Sequence, residues 1–235
     1  MTSTLLLGLA LGMRHAVDPD HLTAIDGLSR VRPMRLNGVF FAVGHGVIVT
    51  ILAAGVGHAL AGQGASLGPW LLFGIGSVTL WKVLRPSAPG AQAKRPLISQ
   101  PFLLGMLLAA GFETASQLSA LVLADRTNPW LLGLAFTGGM VLVDGLDGYL
   151  ATSTQNLAAN GGANAQKASR WLGIAVVVFS FGLGAVELLD VDLDPLALPL
   201  GLTLFAVVIG LRVWARGGSS LLPATVDVRR EGARS

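Results

Sequence analysis

The chain has 235 residues, 52% of them hydrophobic and only 12% charged, with a net charge of +3 and a mean hydropathy of +0.66. A soluble domain carries about 25% charged residues, so this composition points to lipid. It has no cysteine, which excludes disulfides, thiolate metal sites and cysteine nucleophiles and leaves His, Asp and Glu as the chemically able groups.

Seven apolar segments satisfy the roughly 20-residue requirement for crossing a ~30 Å hydrocarbon core, near 4–28, 36–60, 67–84, 99–123, 130–156, 171–189 and 196–216. The first has no basic region before it and no small-residue cleavage site, so it reads as a retained span and not a signal peptide. It also carries Arg14-His15-Ala16-Val17-Asp18-Pro19-Asp20-His21, with Asp26 further on. At about 100° per residue, His15, Asp18 and His21 step round by about 60° each and form one sloping polar face. Pro19 cannot donate to the His15 carbonyl, which predicts a kink or an unwound turn beside four ionisable side chains. Transporter folds place substrate sites at such interruptions.

The second span holds His45 between Gly44 and Gly46, and His58 near its outer end, the latter read as a packing residue. The fourth holds Glu113-Thr114-Ala115-Ser116-Gln117, whose hydroxyls and amide suit interhelical hydrogen bonds. The fifth holds Asp144-Gly145-Leu146-Asp147-Gly148. Those two carboxylates either tie helices together or need a cation or a proton between them. At ~1.5 Å per residue, His21 and His45 lie roughly 12–14 Å from the cytoplasmic ends of their spans, with Asp144 and Asp147 at a similar level. His15 and Glu113 lie higher, at roughly 21 Å, so the polar residues trace a path through the bundle.

A charge at mid-bilayer costs at least ~2.5–3.5 kcal/mol, so ionisable groups there are functional candidates. Two imidazoles and two carboxylates within seven buried residues, 15 to 21, need either a cation or a full set of protein partners. Imidazole and carboxylate without thiolate suit divalent nickel, cobalt, zinc or manganese, and ligand type does not separate these.

The loops orient the bundle. Arg30, Arg32 and Arg35, then Lys82, Arg85, Lys94 and Arg95, then Lys167 and Arg170, occupy alternate connections. Arg212, Arg216, Arg229, Arg230 and Arg234 continue the series. The opposite loops hold Arg126 beside Asp125, and Asp190, Asp192 and Asp194. By the positive-inside rule the N-terminus is outside and the C-terminus cytoplasmic, in a multi-pass protein of the cell inner (plasma) membrane. Residues 1–216 read as a single transport domain and 217–235 as a basic cytoplasmic tail facing anionic lipid, not nucleic acid. Leu6-Leu7-Gly8 and Leu103-Leu104-Gly105 precede the polar clusters of the first and fourth spans, which suggests a 3+3 inverted repeat plus one further span. The fold class is thus all-α, a polytopic helical bundle.

Four segments then resemble the signatures of the nickel/cobalt transporter family. Arg14 to Leu22 resembles its His-x4-Asp-His signature, and Phe40-Phe41-Ala42-Val43-Gly44-His45 resembles Phe-Phe-Ser-Leu-Gly-His. Gly111-Phe112-Glu113-Thr114-Ala115-Ser116-Gln117 resembles Gly-Phe-Asp-Thr-Ala-Thr-Glu, and Gly139 to Gly148 resembles the Asp-Thr-x-Asp-Gly segment. The resemblance implies secondary uptake permeases for divalent nickel and cobalt, with the metal as substrate and no prosthetic group. It places the primary site at His15, Asp18, Asp20 and His21, with His45 beside it and Glu113, Asp144 and Asp147 at the acidic positions of the other motifs. Pro19 stands where the family usually has Ala, Glu113 for Asp, Gln117 for Glu and Gly145 for Thr, and many members carry a further span before the first motif. The chain therefore resembles a short, divergent member. The expected partners are the metal ion and the bilayer, and homo-oligomerisation is left open.

Two other readings compete. An intramembrane metalloenzyme would need His-Glu-x-x-His, with Glu between ligands four apart; here the histidines are six apart with no Glu between them. A metal-binding accessory or sensor protein would need an effector module, and the tail offers none. No Gly-rich phosphate loop is present, so the chain itself does not consume ATP.

Overall fold

A computed structural model describes residues 2–54, 68–85, 100–111, 128–189, 191 and 194–217. Among the described residues every regular element is helical. In chain order they are α1 (Thr2–His15), α2 (Pro19–Val31), α3 (Asn37–Ala53), α4 (Gly68–Leu84), α5 (Pro101–Gly111), α6 (Pro129–Ala159), α7 (Ala163–Leu188) and α8 (Asp194–Gly217). Among the described residues, three stretches are long and apolar enough to cross a membrane: α6, α7 and Leu198–Gly217 of α8. The shorter α3, α4 and α5 are apolar as well. Large apolar side chains face outward, Leu6 and Leu134 being 66% exposed, the pattern of a lipid-facing surface. The chain is a helical membrane protein. His58, Glu113, Thr114, Ser116 and Gln117, residues 86–99, Asp125, Arg126, Asp190, Asp192 and residues 218–235 lie outside the described residues.

The first expected span is two helices. α1 ends in a tight turn, with the Val17 N–H donating to the Arg14 carbonyl (3.1 Å) and the Asp18 N–H to the His15 carbonyl (2.9 Å). Asp18 is extended, with φ −61° and ψ 143°, as a residue before proline prefers. Pro19 then opens α2, where its missing N–H costs nothing and its fixed φ is already helical. α2 packs against α3, α4, α6, α7 and α8, and every residue from Pro19 to Ser29 is buried. A helix enclosed on all sides is ordinarily apolar all round. This one carries Asp20, His21, Asp26 and Ser29.

α3 packs closely on both α6 and α5, and α1 on α6. Glycines set these distances. A Cβ on Gly38 would run into the Asp144 carbonyl, one on Gly44 into the Phe102 carbonyl, and one on Gly12 into the Phe136 carbonyl. The α6–α7 turn closes with Gly161 in the left-handed region (φ 87°) and Gly162 donating to the Leu157 carbonyl (3.1 Å), a Schellman ending. Because the Asp144 backbone cannot retreat without unseating its side chain, Gly38→Ala should destabilise the bundle by about 1–3 kcal/mol. The expected readout is a lower melting temperature of the purified protein in detergent; an unchanged one would show that α3 and α6 have slack.

Candidate metal centre

Three helices bring the histidines together. His15 is the last residue of α1, His21 lies in the first turn of α2, and His45 sits in mid-α3. All three are 0% exposed. Their ring centroids are 4.5 Å apart for His15–His21, 4.6 Å for His21–His45 and 4.9 Å for His15–His45. One ring nitrogen from each lies within 4.8 Å of the others, a spacing that a single cation can bridge. The break at Pro19 makes this possible, since six residues of continuous helix would set the two side chains about 9 Å apart along the axis.

Carboxylates fix two of the rings. His15 Nδ1 lies 2.9 Å from Asp18 Oδ2, and His21 Nδ1 lies 3.1 Å from Asp144 Oδ2. This is the arrangement of metal-binding histidines, in which the outer nitrogen donates to a carboxylate and the inner one faces the ion. The Nε2 of His21 has no hydrogen-bond partner among the described residues, and neither do Asp18 Oδ1 and Asp20 Oδ2. Buried polar atoms without partners are rare, and one explanation is an ion they are shaped to hold. Apolar rings close the sides, Phe41 standing edge-on to His21 at 5.0 Å and Phe136 lying 5.5 Å from His15.

The Nε2 atoms of His15 and His45 face each other at 3.0 Å. Two imidazole nitrogens at that distance share one proton, carried by one ring and accepted by the other. A metal ion bound by both nitrogens must displace that proton. Divalent metal binding should therefore release protons and weaken as pH falls, because the ligands bind metal only when deprotonated. Calorimetric titrations in buffers of different ionisation enthalpy measure the release, and heats that do not depend on buffer would contradict it.

The other expected ligands fall differently. Asp144 joins the histidines, whereas Asp147, one turn further along α6, turns to Arg212 of α8. Arg212 also reaches Asp26 at 3.4 Å, and Asp26 accepts from Arg30 Nε at 2.8 Å. Sequence reasoning counted Arg212 as a topology charge and did not place it in this network. The signal was its position inside the last apolar segment, where an arginine needs a partner.

No family model matches the chain, and no solved structure matches it. Curated relatives do. The chain is 29% identical over 208 residues to the high-affinity nickel transport protein of Cupriavidus necator, covering 64% of this chain and 59% of that protein. It is 28% identical over 207 residues to the hydrogenase nickel incorporation protein HupN of Bradyrhizobium diazoefficiens, covering 64% and 54%. It is 24% identical over 249 residues to the nickel transporter NixA of Staphylococcus aureus, covering 82% and 74%. The chain is thus similar to curated nickel transport and nickel incorporation proteins. It spans a little over half the length of the first two of these relatives. Among the described residues, three histidines and the two carboxylates beside them gather into one buried cluster.

Proposed function

We propose that the chain is a secondary membrane transporter, not an enzyme, that takes up divalent nickel or cobalt through the histidine cluster. The observation that carries this reading is the convergence of His15, His21 and His45 with one nitrogen each within 4.8 Å, buried inside an apolar bundle. The names of the relatives support the choice of metal. In this reading His15, His21 and His45 ligate the ion, Asp18 and Asp144 orient the rings, and Asp20 supplies a further oxygen. Glu113 is assigned to the outer part of the path and Asp147 to the inner part. The membrane potential would draw a divalent cation inward by about 4.6 kcal/mol per 100 mV, twice the single-charge value.

The architecture that goes with this reading has seven spans, with α1 and α2 forming one interrupted span and a 3+3 inverted repeat followed by α8. Residues 1–216 are the transport domain, in the inner membrane, with the N-terminus outside and the basic tail inside. Reporters fused at Gly64, Gly90 and Gly161 should report outside, inside and inside; a fusion at Gly161 on the outer side would overturn the orientation. The function itself is tested by uptake of radiolabelled nickel into proteoliposomes under an inside-negative potential, with cobalt, zinc and manganese as competitors. Nickel should accumulate and unlabelled cobalt should compete with it. No accumulation above protein-free vesicles would end the transport reading.

A further inference from the structure

The charged groups not used by the metal centre gather in one place. Asp26 on α2, Asp147 on α6 and Arg212 on α8 are each 1% exposed. Arg212 donates to Asp147 through Nη1 and to Asp26 through Nη2, and Arg30 donates to the other oxygen of Asp26. The cluster lies beyond the histidines on two helices at once. Asp147 follows Asp144 by three residues on α6, and Asp26 follows His21 by five on α2.

Two carboxylates and two guanidiniums balance in formal charge. Well-packed apolar side chains in such a place are commonly as stable or more so, so stability alone gives no reason to keep the charges. Nor does the arginine saturate its partners. Asp147 Oδ2 and Arg212 Nε are both buried without a hydrogen-bond partner among the described residues. A dicarboxylate pocket next to a metal centre is thus filled by a cation on a flexible stem, supplied by α8, which gives no residue to the histidine cluster.

We propose that Asp26 and Asp147 form a second cation-binding site, which Arg212 occupies as a tethered counter-ion until a divalent metal leaving the histidine centre takes its place. The proposal rests on the transport reading and extends it to the ion's next stop. Hard carboxylate oxygens hold a divalent transition metal less tightly than imidazoles do, so the transfer favours release. The returning guanidinium would then expel the ion and close the site behind it.

Nickel binding to purified protein in detergent tests this with the histidine centre removed. His21→Ala should bind little nickel, and His21→Ala/Arg212→Gln should gain one nickel per chain and melt at a higher temperature with nickel than without. Adding Asp26→Asn should abolish both gains, and Arg212→Lys in place of Arg212→Gln, which restores a tethered cation, should show neither. No gain in the Arg212→Gln variant overturns the proposal. If that variant is lost from the membrane, nickel added to the growth medium should restore its yield, the metal standing in for the guanidinium; a yield that stays low counts equally against the proposal. Failure of the histidine centre itself would read out separately, as equal nickel binding by the parent and His21→Ala.

Discussion

His21→Ala should reduce nickel binding by on the order of 100-fold or more, since loss even of an outer partner of a metal ligand costs 10–100-fold. His15→Ala should do the same. Both proteins should still reach the membrane, because neither ring anchors a close helix approach. The glycine contacts that set α3 against α6 and α1 against α6 involve Gly38, Gly148, Gly12 and Gly139, not the imidazoles. His21 is the more sensitive of the two. Its Nδ1 is committed to Asp144 on a different helix, so its removal also frees a carboxylate that is 0% exposed. Accumulation of radiolabelled nickel in cells, normalised to membrane-inserted protein, checks the result. Parent-like accumulation in both variants would make the cluster a packing feature.

Asp144 and Asp147 should part company despite being three residues apart. Asp144→Asn keeps an oxygen for His21 Nδ1 but loses the charge, so nickel affinity should fall about 10-fold, and Asp144→Ala about 100-fold, with the melting temperature little changed. Asp147→Asn instead leaves a buried guanidinium short of its principal partner. Breaking one side of a buried ion pair costs about 3–5 kcal/mol, so this variant should melt well below the parent while binding nickel at the histidine centre nearly as the parent does. Melting curves with and without nickel, run on the same preparations, separate the two. Matching profiles for Asp144→Asn and Asp147→Asn would mean the pair acts as one unit, contrary to the observed contacts.

That divergence marks how far the sequence could be read. Pro19 in an apolar segment announces an interruption, because the ring and the missing N–H are local facts, and the structure breaks the helix there. The histidines and carboxylates stand out by their cost in lipid, which needs no knowledge of packing. What local rules could not supply was the direction of the chain after the break. Counting along straight helices set His15 well above His21, whereas the turn through Ala16, Val17 and Asp18 brings the rings to 4.5 Å. Helical azimuth likewise grouped Asp147 with Asp144, although neighbouring azimuths on α6 face different helices: one meets α2 and the other α8. Arg212 shared its sign with the positive-inside series and was read with it, since only tertiary contacts distinguish a snorkelling arginine from a buried one. Glu113 lies outside the described residues, so the outer part of the path stands on sequence alone.

X-ray absorption spectroscopy of the nickel-loaded, purified protein tests the central claim most directly, because imidazole rings leave a multiple-scattering signature that carboxylates and water do not. The parent should show several imidazoles on one nickel, and His45→Ala should show fewer. A nickel surrounded only by oxygen, or a spectrum unchanged in His15→Ala and His21→Ala, would contradict it.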